Sequence, residues 1–312
     1  MKIRPFLQAD VFTATPYLGN PLAVVLDGSG LSSQEMQHFA HWTHLSETSF
    51  LLPPTEAGVA AGADYRVRIF TPGAELPFAG HPTLGSCHAW LEAGGVPRQD
   101  DCIVQECSVG LIRVRRQGTR LAFAAPTLRR SEPDAALLSQ VSAALGLQRH
   151  QIRAAQVLDN GPVWLALLLD SRDTVLKLNP DHLALKNLGQ KVGVVAIERS
   201  VPGALLIARS NREARAFSAR TAQTGNAALD EPEVEVRAFA APVGVDEDPV
   251  TGSLNASLAQ WLIAEGLAPS RYTAAQGACL GRAGCVHIEQ DASGQVWVGG
   301  TVVSCIQGTV NL

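Results

Sequence analysis

The sequence predicts a duplicated α/β unit and, as its consequence, a molecule of two similar lobes. Three observations carry this. Turn-and-strand segments recur in the same order in the two halves, each half has a Gly/Pro-rich loop running into an apolar helix, and each closes on a hairpin. The 312 residues suit about two domains at roughly 150 residues each.

The matched segments run in order. Gly19-Asn20-Pro21-Leu22-Ala23-Val24-Val25-Leu26-Asp27 has its counterpart in Asn160-Gly161-Pro162-Val163-Trp164-Leu165-Ala166-Leu167-Leu168-Leu169-Asp170. Both read as a turn followed by a buried strand that ends on Asp. Val67-Arg68-Ile69-Phe70-Thr71-Pro72 corresponds to Val236-Arg237-Ala238-Phe239-Ala240-Ala241-Pro242. The loops Phe78-Ala79-Gly80-His81-Pro82-Thr83 and Asp248-Pro249-Val250-Thr251-Gly252-Ser253 follow, and the helices after them end at Gly94 and Gly266. Each half then closes with a Gln-led segment and a hairpin. In the first, Gln105-Glu106-Cys107 leads to Leu111–Arg115, a turn at Gln117-Gly118 and Arg120–Ala124. In the second, Gln276-Gly277 leads to Val286–Glu289, a turn at Ser293-Gly294 and Val296–Val302. Any one pair is chance-level, because the spacings drift by tens of residues; four in the same order argue for a duplication.

Two further helices are signalled. Ser32 and Glu35 form a capping box ahead of Met36, Phe39 and Ala40 at helical spacing. That helix should stop near Thr43, with Ser46–Leu52 reading as loop into strand. A second helix is expected over Asp134–Leu145, inside the seam between Pro126 and Ala155. The lobes are therefore expected as residues 1–130 and 131–312.

Composition narrows the function. Hydrophobic residues make up 46% and charged residues 17%, enough for real cores and unlike a disordered chain. Lys and Arg number 25 against 29 Asp and Glu, a net charge of −4. With no basic excess, nucleic acid and an anionic membrane surface are poor partners. The longest apolar run, Val163–Leu169, is too short to span a bilayer, and the N-terminus lacks the apolar stretch of a secretory signal. A cytoplasmic location follows as the expectation. Cys102 with Cys107, and Cys279 with Cys285, lack zinc-site spacing and read as packed thiols, so no metal is expected. His38, His41 and His44 invite a metal reading, but His44 falls beyond the helix and no carboxylate completes the set. His88 and Cys87 read as packing. Nucleotide, redox and hydrolase signatures are absent from the sequence.

The two loop-to-helix junctions are where chemistry could sit. Gly80-His81-Pro82-Thr83 and Pro249-Val250-Thr251-Gly252-Ser253 each put small residues at a helix start, where free N–H groups and the dipole favour an anion. Ordinary capping explains most such patterns singly. As a pseudo-symmetric pair they could face each other across a cleft and hold a small carboxylate. His81, Asp248 and Glu47 are the titratable residues near them, although an Asp before Pro commonly forms a turn and a loop Glu is commonly solvated.

These residues carry a resemblance. Asp10-Val11-Phe12-Thr13, Gly19–Val25, Ser46-Glu47-Thr48 with Phe50, Arg68 to Pro72 with Glu75 to Gly85, and Glu247-Asp248-Pro249 with Thr251-Gly252-Ser253 resemble the PhzF-like family, named for phenazine biosynthesis. Gln276-Gly277, Gly281-Arg282 and Gly299-Gly300 extend the match toward the C-terminus. The resemblance implies the α+β diaminopimelate epimerase fold: two pseudo-symmetric lobes, each a curled mixed sheet around a central helix, with the site between them. Terminal segments in that fold can cross back, which leaves open the lobe of a last strand at Thr301–Val310. Carried onto matching positions, Glu47 is the acid/base glutamate, His81 and Asp248 are its polar partners, and Ser253 is a further contact. Ser46 adjoins the glutamate. Amides around Gly80 and Gly252 would hold the substrate's carboxylate.

The function so implied is a cofactor-free isomerase in which Glu47 takes a proton from one carbon of a small carboxylate, cyclic amino or hydroxy acids included, and returns it at another. A homodimer is implied as well. An epimerase or a lyase using the same glutamate is the alternative, as is a ligand-binding member without turnover. No cysteine stands at either junction, which disfavours a two-thiol racemase.

Overall fold

The computed structural model describes residues 2–198 and 234–312. Its first half contains β1 (Ile3–Val11), β2 (Asn20–Val25), α1 (Ser33–Thr43), β3 (Thr48–Leu52), α2 (Glu56–Ala60), β4 (Tyr65–Phe70), β5 (Glu75–Leu76), α3 (Gly80–Glu92), β6 (Cys102–Cys107), β7 (Gly110–Gln117) and β8 (Arg120–Ala124). The short β9 (Arg129–Ser131) and α4 (Ala135–Ala144) occupy the seam. The second half contains β10 (Ile152–Asp159), β11 (Val163–Leu169), α5 (Arg172–Lys177), α6 (His182–Leu188), β12 (Val192–Ile197), β13 (Val234–Ala240), β14 (Val245–Asp248), α7 (Gly252–Ala264), β15 (Arg271–Gln276), β16 (Gly284–Gln290) and β17 (Val296–Asn311).

The duplication holds strand by strand. β1 runs antiparallel to β2, β2 parallel to β3, β3 antiparallel to β4, β4 antiparallel to β5 and parallel to β6, and β6, β7 and β8 form a meander. From β10 to β17 the same sequence of pairings repeats, with β13 antiparallel to β14 and parallel to β15. Single side chains repeat too. Arg68 makes a two-pronged hydrogen bond to Glu75 and lies 5.1 Å from the Phe70 ring centre. Arg237 does the same to Glu247 and lies 5.0 Å from the Phe239 ring centre. Each pair ties the long strand to the short one that delivers the chain to a central helix.

The central helices, α3 and α7, are buried around most of their circumference. A helix apolar on every side belongs inside a core rather than on one face of it. α3 packs on β1, β2, β3, β6, β8 and β17, and α7 on β10, β16 and β17. Leu84 and Leu254 have no exposed surface, and each contributes about 1.5–3 kcal/mol on burial. Positive-φ glycines, Gly94 and Gly266, stand just beyond the two helices.

Local expectations for the surface helices hold. In α1 the Ser32 Oγ accepts from the Glu35 amide while the Glu35 carboxylate accepts from the Ser32 amide. His44, in the left-handed region, follows Thr43 and ends the helix. α4 starts on the Asp134 cap.

One expectation is corrected. The segments expected as a hairpin strand at Val296–Val302 and a terminal strand at Thr301–Val310 are a single strand, β17. No turn residue interrupts Thr301-Val302-Val303, so the β-branched run stays extended. Its first part lies between β8 and β16, and its remainder pairs with β1 from Val302 to Asn311, with a bulge opposite Gln8 and Ala9. One strand thereby joins the two sheets and closes the first into a ring around α3.

Candidate active site

The two helix starts meet. A Cβ on Gly80 would lie 2.7 Å from the Gly252 Cα, and one on Gly252 would lie 2.8 Å from the Gly80 Cα. Only glycine at both positions lets α3 and α7 present their first amides side by side. Matched glutamines secure the loops. Gln105 donates to Thr83 Oγ1, and Gln276 donates to Thr251 Oγ1 and to the Asp248 carbonyl while accepting from the Thr251 amide.

Around this junction the structure gathers the sequence candidates. His81, in the first turn of α3, is buried and its Nε2 lies 3.4 Å from Glu47 Oε2. Glu47 immediately precedes β3 and keeps 16% of its side chain exposed. Asp248 closes β14, and its carboxylate accepts from Asn20 Nδ2 at 2.8 Å and from the Thr251 hydroxyl. Ser46 Oγ lies 3.4 Å from Asn20 Oδ1 and also hydrogen-bonds Glu47. Ser253 Oγ, in the first turn of α7, accepts from Trp164 Nε1 at 3.3 Å. Glu47, His81, Asp248, Ser46, Gly80, Gly252 and Ser253 thus form one neighbourhood.

The electrostatics follow from burial. Desolvation, with the Asp248 charge second, pushes the Glu47 carboxyl up to about 8. Burial also raises Asp248, opposed by the hydrogen bonds from Thr251 and Asn20 and by the charge of Lys191. The two carboxyls share one low-dielectric space and titrate as a pair. Asp248 has the better donors, so it holds the charge and Glu47 holds the proton. His81 is driven down to about 3 by desolvation, so its ring is neutral.

Counting donors constrains the His81 tautomer. Asn20 Nδ2 has two protons and three acceptors in reach: Asp248 at 2.8 Å, the Val250 carbonyl at 2.9 Å and His81 Nδ1 at 3.3 Å. The two short contacts take both protons. His81 also hydrogen-bonds the Pro21 backbone, and its Nε2 faces the protonated Glu47. Both Glu47 Oε2 and His81 Nε2 are buried and have no hydrogen-bond partner among the described residues.

The sequence reading missed three members. Asn20 joins Asp248 to the Val250 carbonyl and lies 3.3 Å from His81 Nδ1, yet the sequence shows it only as a turn residue. Trp164, likewise read only as part of a strand, reaches Ser253. Lys191 went unnoticed, although its charge acts on both Glu47 and Asp248. Its place shows only in the register: Thr48 pairs with Phe70 and Val192 with the matching Phe239, so Lys191 stands in its lobe where Glu47 stands in the other.

Outside this neighbourhood, His41 and His44 have ring centres 6.0 Å apart, and no group of three metal-binding side chains occurs among the described residues. His88 bonds Ser304, and Cys87 is buried with its thiol pushed up to about 12. Among the described residues no helix is long and apolar enough to cross a membrane.

The model of the phenazine biosynthesis-like (PhzC-PhzF) family matches residues 9–308. The chain belongs to that family. Among PhzF-like relatives, "Antisense-enhancing sequence 1" of Schizosaccharomyces pombe is 32% identical over 97% of each chain. The trans-2,3-dihydro-3-hydroxyanthranilate isomerase of Pseudomonas aeruginosa is 36% identical over 58% of this chain and 62% of its own. This is an isomerase family by the names of its curated members. The crystal structure of the Bacillus anthracis PhzF-family protein superposes with a TM-score of 0.77 at 20% identity, covering all of both chains. A probable proline racemase from Agrobacterium radiobacter gives 0.62 at 13% identity, over 99% of this chain and 93% of that one. The PhzF-like chain therefore has the two-lobed α+β fold that these proteins share.

Proposed function

We propose that this chain is an isomerase that moves a proton between two carbons of a small carboxylate, with Glu47 as the acid/base. The observation that carries the reading is the Glu47 carboxyl itself. It is largely buried, pushed up to about 8, and lies 3.4 Å from His81, whose backbone stands where the two helix starts meet. A carboxyl that must both take and return a proton works best with its pKa near the working pH.

In this mechanism the substrate's carboxylate lies against the amides around Gly80 and Gly252. Ionised Glu47 takes a proton from carbon, and the electron pair left behind delocalises through the conjugated system toward the carboxylate. The amides stabilise the charge that develops there. The double bonds shift, and the same carboxyl returns the proton to a different carbon, so the product is an isomer. His81 Nε2 accepts from Glu47 when it is protonated and orients it. Asp248, fixed by Asn20 and Thr251, keeps the Glu47 proton affinity high. The reading assigns the proton transfer to side chains alone.

The family relative that isomerises trans-2,3-dihydro-3-hydroxyanthranilate supplies the substrate class to try first. Wild type and Glu47→Gln are incubated with that compound in D2O and followed by proton NMR. Conversion by the wild type with deuterium in the product, and none by the variant, supports the reading. Loss of water instead identifies a lyase. No conversion by the wild type removes this substrate class.

A further inference from the structure

Lys191 has a role that the proton-transfer scheme does not use. It directly precedes β12 and is the internal counterpart of Glu47, so equivalent positions in the two lobes carry a cation and a carboxyl, and the Lys191 charge acts on Glu47. Its Nζ lies 4.9 Å from the Trp164 ring centre, and the indole of Trp164 donates to Ser253 in the first turn of α7. Lys191 therefore packs on the side chain that bonds Ser253 at the opening of that helix.

Burial lowers the Lys191 pKa, and the charges of Glu47 and Asp248 pull it back up. Among the described residues no carboxylate lies within ion-pair distance of its ammonium, and no hydrogen bond from it is found. The half-buried ammonium rests on an aromatic face and keeps access to water, a position from which it can meet an anion. Asn160 Nδ2 donates to the Ser253 carbonyl and so fixes the first turn of α7. The donors around this point are Lys191 Nζ, the Ser253 hydroxyl and the first amides of α7. They suit an anionic oxygen.

We infer that Lys191 is the residue that selects anionic substrates, seating the substrate's carboxylate beside Ser253 at the start of α7. This deepens the isomerase reading and rests on it for the identity of the site. Seating the anion here keeps the substrate's charged end where the two helix starts meet and leaves its carbon skeleton toward Glu47. It also occupies the cation that favours ionised Glu47, so binding makes that carboxyl a stronger base.

The test measures binding apart from turnover. Anthranilate and anthranilamide, equal in shape and different in charge, are titrated calorimetrically into the wild type, Lys191→Met and Lys191→Arg, with folding checked by circular dichroism. Lys191→Met is expected to lose anthranilate affinity by roughly 10- to 100-fold, the usual loss for a charge-assisted hydrogen bond. Its affinity for anthranilamide stays unchanged, and Lys191→Arg retains most anthranilate binding. Equal loss for both ligands, an unchanged anthranilate affinity in Lys191→Met, or no anthranilate binding by the wild type overturns the inference. The two readings fail separately. Lys191-dependent anthranilate binding without turnover of the dihydro compound removes the isomerase substrate and keeps the anion seat. Turnover with an unchanged KM in Lys191→Met does the reverse.

Discussion

Gly80 and Gly252 touch backbone to backbone, and a methyl group on Gly80 would stand 2.7 Å from the Cα of Gly252. No flexible side chain lies between them to yield. Alanine at either position must push the two helix starts apart, at a cost of about 1–3 kcal/mol by analogy with overpacked cores. Gly80→Ala and Gly252→Ala should each lower the thermal midpoint and reduce turnover by more than stability alone accounts for. A variant with wild-type Tm and activity would mean that the lobes accommodate the methyl group.

Glu47 predicts the pH profile. With its carboxyl pushed up to about 8, the base form gains population as pH rises through that value, so kcat/KM should climb from pH 6 and level off above about 8. The stability consequence has the opposite sign. A raised folded-state pKa means that the native state binds the proton more tightly than the unfolded chain does. Stability from this group is complete below the ordinary value of 4.5 and is lost as pH rises to about 8. Glu47→Gln, which cannot ionise, should gain on the wild type in Tm between pH 5 and pH 8.5. Equal differences at both pH values would contradict the assignment.

His81 should stay neutral across the working range, because burial holds its ring down to about 3. Its imidazole signals in a nitrogen-edited NMR titration should not move between pH 5 and pH 8, and the proton should sit on Nδ1. Titration near the usual 6.5 would show that water reaches the ring. His81→Phe, which keeps the bulk and removes the Glu47 partner, should cut kcat by about 10²- to 10⁴-fold, as removal of an acid/base assistant does.

The repeated arginine clamps differ in burial, which separates their contributions. Arg237 and Glu247 keep 5% and 7% of their side chains exposed, against 24% and 34% for Arg68 and Glu75. Arg237→Met strands a buried carboxylate next to Asp248 and should cost about 3–5 kcal/mol in urea unfolding. Arg68→Met, at the exposed twin, should cost about 1 kcal/mol or less. Equal costs would remove burial as the cause.

Much of the site was legible because its signals are local. Gly80-His81-Pro82 and Asp248-Pro249 announce helix starts through their turn chemistry, and Glu47 stands where a loop enters a strand. Ser32 with Glu35 marked the start of α1 just as directly. Asn20 was hidden because its task is long-range: its partner Asp248 is 228 residues away. Lys191 was hidden because one lysine before a strand looks like any surface charge until the strand's register makes it the counterpart of Glu47. The continuity of β17 escaped for a related reason, since sequence shows where a strand is favoured and not which neighbours it serves.

By itself, the sequence determined the duplicated unit, the order of its elements and the residue types at the two helix starts. Periodicity, capping and turn formation act over a few residues and are written there. Only the tertiary structure decided that one strand serves both sheets, that the two glycines meet, and that Glu47 keeps its proton. Those outcomes depend on desolvation and on charges brought close from distant parts of the chain, and neither exists before the lobes have packed.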